Sequence, residues 1–182
     1  MTDTSAQSAR NWFASGGERY AKFRPAYPTQ LSEFLAPLAQ PQSLVLDVGC
    51  GTGQLTAQLA DHAEQVIGLD PSLQQLKHAT RKANIRYVQA CAEALPLNDH
   101  QAGLIVAAQA AHWFELPRFY TEVRRVGLPG AIIALVTYGV LQLDPDLQDR
   151  FDTFYWQEIG PYWPAARKLV DRGYADLAFP FE

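Results

Sequence analysis

The sequence predicts a doubly wound α/β fold on a parallel sheet, and three observations predict it. Apolar segments able to form buried strands recur at regular intervals, and helix-compatible segments lie between them. The first of those strands breaks into three glycines within five positions and then into a helix, in "VLDVGCGTGQLTAQLA" (45–60). A strand that ends this way passes its backbone very close to something bound.

Residues 8–39 read as helical with a break at "RPAYP", where Pro25 and Pro28 forbid a continuous helix. The strands follow at 43–49, 65–70, 85–90, 102–109 and 131–138. Their near-continuous hydrophobicity, without strict alternation, predicts strands covered on both faces. Helices are expected at 54–62, 72–83 and 116–126, with Ser72 as an N-cap after Asp70-Pro71. The 182 residues make one domain: a helical cap over 1–40, a binding core over 41–138, and a helical lid over 139–182.

Composition narrows the function. The net charge is −4 with no run of Lys or Arg, which argues against nucleic acid or an anionic membrane as the main partner. Cys50 and Cys91 are the only cysteines and lack the spacing of a disulfide scaffold or a metal site. The polar N-terminus and the lack of any long apolar run point to the cytoplasm.

In a doubly wound sheet the ligand sits beyond the carboxyl ends of the strands. The loop Gly49-Cys50-Gly51-Thr52-Gly53 is G-x-G-x-G, and Gln54 stands where a dinucleotide fingerprint needs glycine. Asp70 ends the second strand, where a solvent-facing carboxylate could accept both ribose hydroxyls. Acidic strand ends disfavour a pyrophosphate, whereas Asp47 suits an ammonium group. A nucleoside with a cationic tail and no phosphate fits, and S-adenosylmethionine is that molecule.

"VLDVGCGTG" with this context resembles the class I S-adenosylmethionine-dependent methyltransferases, specifically the type 11 group, over roughly residues 12–182. The resemblance implies a Rossmann-like sheet of order 3-2-1-4-5. It also implies a cofactor site of Tyr20 and Arg24 in "YAKFRPAYP", the loop Gly49, Cys50, Gly51, Thr52 and Gly53, then Asp70 and Pro71. Ala92 and Glu93 would take the adenine, because Cys91 replaces the family's usual Asp; Cys91 itself reads as a small buried residue, and Cys50 as a filler of the glycine loop.

After the fourth strand, "AAQAAHWFE" lacks the Asn/Asp-Pro-Pro-aromatic motif of enzymes that methylate nucleic-acid amines. It looks like the subset resembling trans-aconitate methyltransferases and related small-molecule enzymes. Gln109 would face the sulfonium, while His112, Trp113 and Tyr138 would meet the acceptor, with His112 as the base if a proton must leave. A carboxylate acceptor would need no base. Many rings of the tail, such as Tyr155, Trp156 and Trp163, are expected to pack, with a few lining an acceptor lid. The chain reaches "FPFE" before the antiparallel strand pair that closes the family's sheet. The expectation is a truncated chain, or a fifth-strand edge covered by 139–182 or by a second copy in a homodimer. The competing expectation is a non-catalytic cofactor-binding or interaction module.

Overall fold

The computed structural model describes residues 26–181, so Tyr20, Arg24 and most of the expected cap lie outside the described residues. The described chain falls into two compact units, divided between Val136 and Thr137.

Among the described residues the first unit begins with α1 (Thr29–Leu35) and a 3₁₀ turn, Ala36–Leu38. Five parallel strands follow: β1 (Leu44–Val48), β2 (Val66–Asp70), β3 (Ile85–Gln89), β4 (Ala102–Ala108) and β5 (Gly127–Val136). They lie in the order β3-β2-β1-β4-β5, the expected one. The order reverses direction at β1 and β4, so a crevice opens beyond their carboxyl ends. Alternation along the strands sends side chains to opposite faces. Val45, Val66, Leu104 and Val106 bury against Leu35 of α1 and against Leu55 and Leu59 of α2 (Gln54–Leu59). Between them, Leu46 and Ile105 are fully buried as well. In α4 (Leu116–Val126), Phe119, Tyr120, Val123 and Val126 form one buried stripe at helical spacing.

Several bounds differ from the sequence reading, each for a tertiary reason. The helix expected over 54–62 ends at Leu59, and the Asn84 side-chain amide donates to the carbonyls of Ala60 and Ala63. The helix expected over 72–83 is only α3 (Leu73–Lys77). Beyond it Thr80 is drawn onto the glycine loop: its N–H donates to Thr52 O, and its carbonyl accepts from the Tyr87 hydroxyl. The Ser72 cap is as expected, its Oγ accepting from Gln75 N. Complete burial holds for β4, whereas β3 is half exposed because it is an outer strand. The fifth strand begins at Gly127, directly after α4, and ends at Val136, two residues before the expected end.

The second unit contains α5 (Pro145–Asp152), a π-helical turn over Thr153–Ile159 and α6 (Arg167–Asp171). Tyr155 is its buried ring; its hydroxyl donates to Asp171 Oδ1 and accepts from Arg167. Trp156 and Tyr162 are exposed.

Candidate functional site

The glycine loop is tied across the ends of two strands. The N–H groups of Gly49 and Cys50 both donate to Leu69 O, at 2.7 and 3.0 Å, and Gly53 N donates back to Cys50 O. Gly51 and Gly53 have φ of +56° and +73°, a conformation other L-residues resist. They use it differently. A Cβ on Gly53 would lie 2.1 Å from the Tyr87 hydroxyl oxygen, so Gly53 is required by packing. A Cβ on Gly51 would have no neighbour within 4 Å, so the space above Gly51 is open.

That space belongs to a cavity of about 980 Å³ lined by the loop, the end of β2, the turn after β3 and the segment after β4. Its size is at the top of the range for small-molecule sites, roughly 300–1,000 Å³. Asp47, Gly49, Cys50, Gly51, Thr52, Asp70, Pro71, Ala92, Glu93, Gln109 and Trp113 all line it. Gly53 and His112 do not, and Tyr138 lies in the second unit.

Asp70 is not the free, solvent-facing carboxylate expected. It is 9% exposed, and both oxygens already accept: Oδ2 from Gly51 N at 2.9 Å, and Oδ1 from Ser72 N at 2.8 Å. Burial raises its pKa, while these two backbone bonds pull it down. A carboxylate offers about four lone-pair sites, so each oxygen can still take a hydroxyl. Asp70 thus shapes the loop and lines the cavity at once.

Asp47 is buried at the carboxyl end of β1, accepting from Thr56 Oγ1 at 2.6 Å. Burial pushes its pKa up to about 6, against the Thr56 bond, and the charge of Asp70 adds to the rise. An ammonium group would reverse that penalty. Because the folded value lies above the unfolded 3.8, the ligand-free protein keeps this stability fully below pH 3.8 and loses it as pH rises through about 6. The loss is about 3 kcal/mol. Asp47→Asn removes the buried charge. Without ligand at neutral pH it is expected to melt higher than wild type, while its affinity for a ligand carrying an ammonium falls. A lower melting temperature for the ligand-free variant would show that the Asp47 charge is not a cost.

Cys50 is half-buried, and burial beside Asp47 and Asp70 pushes its thiol well up, so it is not a nucleophile at neutral pH. Cys91, expected to be buried, is exposed, because it opens the turn after β3 on the cavity wall. That turn is fixed from behind by α4. Leu95 N donates to Glu122 Oε2, and Arg125 donates to the carbonyls of Leu95 and Leu97. Glu93 Oε1 accepts from Glu115 N at 2.8 Å, linking the turn to the segment after β4.

That segment leaves the sheet through Gln109, a non-glycine residue at φ +52° whose N–H donates to Val136 O. Backbone strain of this kind is characteristic of functional sites. A 3₁₀ turn, Ala111–Trp113, then presents Trp113 and Phe114 to the cavity. His112 has its ring 4.9 Å from that of Trp113.

Sequence reasoning missed Gln75 and Arg118. Gln75 is 3% exposed on the cavity wall, with Oε1 lacking a partner. Its only signal was its place one turn inside a helix that starts at the site. Arg118 pairs with Glu115 at 3.4 Å on an exposed turn of α4. Among the described lining residues Arg118 is the one Lys or Arg, beside four carboxylates.

The residues fit a phosphate-free nucleoside with a cationic tail. The loop leaves room at Gly51, Asp70 keeps acceptor capacity, Gln75 has an unused buried acceptor, and Asp47 awaits a positive group. The methyltransferase domain family, type 11, matches residues 46–135. A solved Anaeromyxobacter dehalogenans protein assigned as a type II methyltransferase is 41% identical, with a TM-score of 0.79, over 88% of this chain and 68% of that one. A Dictyostelium discoideum protein named as a methyltransferase is 34% identical over 93% of this chain and 66% of its own length. The malonyl-[acyl-carrier protein] O-methyltransferase of Enterobacter lignolyticus is also 34% identical, over 74% and 51%. The chain therefore spans about 40% to 66% of the length of the curated relatives it matches.

Proposed function

The chain belongs to the type 11 family of methyltransferase domains, whose cofactor is S-adenosylmethionine, and from that premise we propose that it methylates a carboxylate of a small organic acid. When bound, the sulfonium supplies an activated methyl: an O–C bond forms as the C–S bond breaks, and the electron pair returns to sulfur, leaving S-adenosylhomocysteine. No proton has to move, so the protein's task is alignment and exclusion of water.

The residues divide that task. Asp70 holds the ribose hydroxyls, and Asp47 holds the ammonium of the methionine tail. Ala92 offers its backbone N–H to the adenine, with Cys91 lying beside it. Gln109 turns the chain toward the transferring group, and Trp113 and Phe114 make an apolar wall on the acceptor side.

The observation that carries the carboxylate reading is the composition of the Gln109–Arg118 wall. It brings the rings of Trp113 and Phe114 and the Glu115 carboxylate, paired with the Arg118 guanidinium, to the cavity, and its imidazole, His112, is not in the lining. An acceptor that must lose a proton needs a base there; a carboxylate does not. The name of the Enterobacter lignolyticus relative agrees with an O-methylated acid. A net charge of −4 and the lack of an Asn/Asp-Pro-Pro-aromatic motif favour a small acceptor over nucleic acid.

The test is transfer of labelled methyl to panels of small acids, phenols and amines. Ester formation is expected with acids, and kcat should show no limb from a catalytic base between pH 6.5 and 9, roughly the range where histidine titrates and above. Turnover confined to phenols or amines, with such a limb, would overturn the carboxylate reading and return His112 to the role of base.

A further inference from the structure

We propose that Arg118 is the specificity-determining residue for the acceptor, anchoring a second, non-reacting carboxylate, so that the preferred substrates are di- or polyacids. The inference rests on the reading of the site as a methyltransferase for small acids and adds what selects among them.

The cavity lining carries Asp47, Asp70, Glu93 and Glu115, a wall that repels an anion. Three of these carboxylates have prior engagements. Asp47 accepts from Thr56, Asp70 from two backbone N–H groups, and Glu93 from Glu115 N. Against them stands one guanidinium in the described lining, that of Arg118. It is held loosely. The distance to Glu115 is 3.4 Å, longer than an ordinary hydrogen bond, and the two side chains are 66% and 56% exposed. An ion pair so exposed contributes little, and a ligand carboxylate can replace Glu115 through two parallel N–H···O bonds.

Position and chemistry then separate the two acid groups. Arg118 lies on the first turn of α4, one turn along the chain from Trp113 and Phe114, and its exposure puts it at the rim of the cavity. A carboxylate clamped by a guanidinium has its lone pairs engaged and is a poor nucleophile. The group on Arg118 is therefore not the group that is methylated. It is a second acid on the same molecule, and the reacting one lies further in, against the apolar wall.

The experiment compares succinic, glutaric and adipic acids with their monoamides, which keep one carboxylate and nearly the same shape. Wild type is expected to favour the diacid. In Arg118→Gln the ratio of kcat/KM for diacid over monoamide should fall roughly ten- to hundredfold, the range for losing hydrogen bonds to a charged group, mainly through KM. Arg118→Lys should recover part of that ratio. Affinity for S-adenosylhomocysteine should be the same in both variants.

An unchanged ratio in Arg118→Gln overturns the anchor while leaving the acid-methyltransferase reading intact. A loss of S-adenosylhomocysteine affinity also overturns it, since Arg118 would then hold the cofactor's own carboxylate. If wild type esterifies none of a broad panel of acids, the acid reading fails and the anchor fails with it.

Discussion

Replacing Asp70 with alanine should both destabilise the protein and remove cofactor binding. The two losses share one cause. Gly51 N and Ser72 N, 2.9 and 2.8 Å from the carboxylate oxygens, would lose their acceptor together. Each backbone N–H left without a partner costs about 1–3 kcal/mol. Relief of the buried charge, visible in the raised pKa, offsets part of this. A net loss of about 2–3 kcal/mol should lower the melting temperature by roughly 4–12 °C in a chain of this size. Binding suffers twice, because the ribose loses its acceptors and the loop loses its shape. S-adenosylhomocysteine affinity should fall at least a hundredfold, roughly the worth of two hydrogen bonds to a charged group. Asp70→Asn is the informative partner. Its single oxygen can accept from only one of the two N–H groups, so it should fall between wild type and alanine on both measures. Unchanged affinity in Asp70→Ala would remove Asp70 from the site.

The second large effect separates two glycines that look alike in sequence. Gly51→Val should leave the sheet folded and abolish cofactor binding. A β-branched residue at φ +56° costs roughly 1–2 kcal/mol of backbone strain, but its Cβ meets nothing within 4 Å. The added side chain occupies open space above the loop, on the cavity wall. Gly53→Ala should do the reverse. Its Cβ would press on the Tyr87 ring, whose hydroxyl holds Thr80 O, so the cost appears as lost stability before any effect on the ligand. Circular dichroism with calorimetry distinguishes the two. A Gly51→Val protein that still binds S-adenosylhomocysteine at wild-type strength would make the loop a turn and nothing more.

What was legible in the sequence is what depends on local pattern. The apolar runs located all five strands, because a strand buried between layers must be nearly continuous in hydrophobicity. The helix over 116–126 matched its observed bounds, Leu116–Val126, since its buried stripe is written at helical spacing. The glycines and the acidic strand ends located the cavity. The failures come from long-range contacts. No local pattern announces that the helix after Ser72 stops at Lys77, because Thr80 bonds to Thr52, far back in the chain. Asp70 looked like a free strand-end acid because its partner, Gly51, is 19 residues away. Cys91 reads as apolar by residue type, yet the turn after β3 carries it to an exposed position. Gln109 gave no sign of its φ, which is set where β4 leaves the sheet beside β5. Nothing local marks Arg118, since only the fold brings that turn of α4 to the cavity.

In the proposed function the loop, Asp70 and Asp47 together hold S-adenosylmethionine. Titration calorimetry of S-adenosylhomocysteine into the protein at pH 7.5 and at pH 5 tests it most directly, with NAD as the competing ligand. Saturable binding at one site per chain is expected, with no heat from NAD. Affinity should be weaker at pH 5, where Asp47, with its pKa near 6, must give up a proton before it can hold the ammonium. Binding of NAD in place of S-adenosylhomocysteine, or no binding of S-adenosylhomocysteine at either pH, would contradict it.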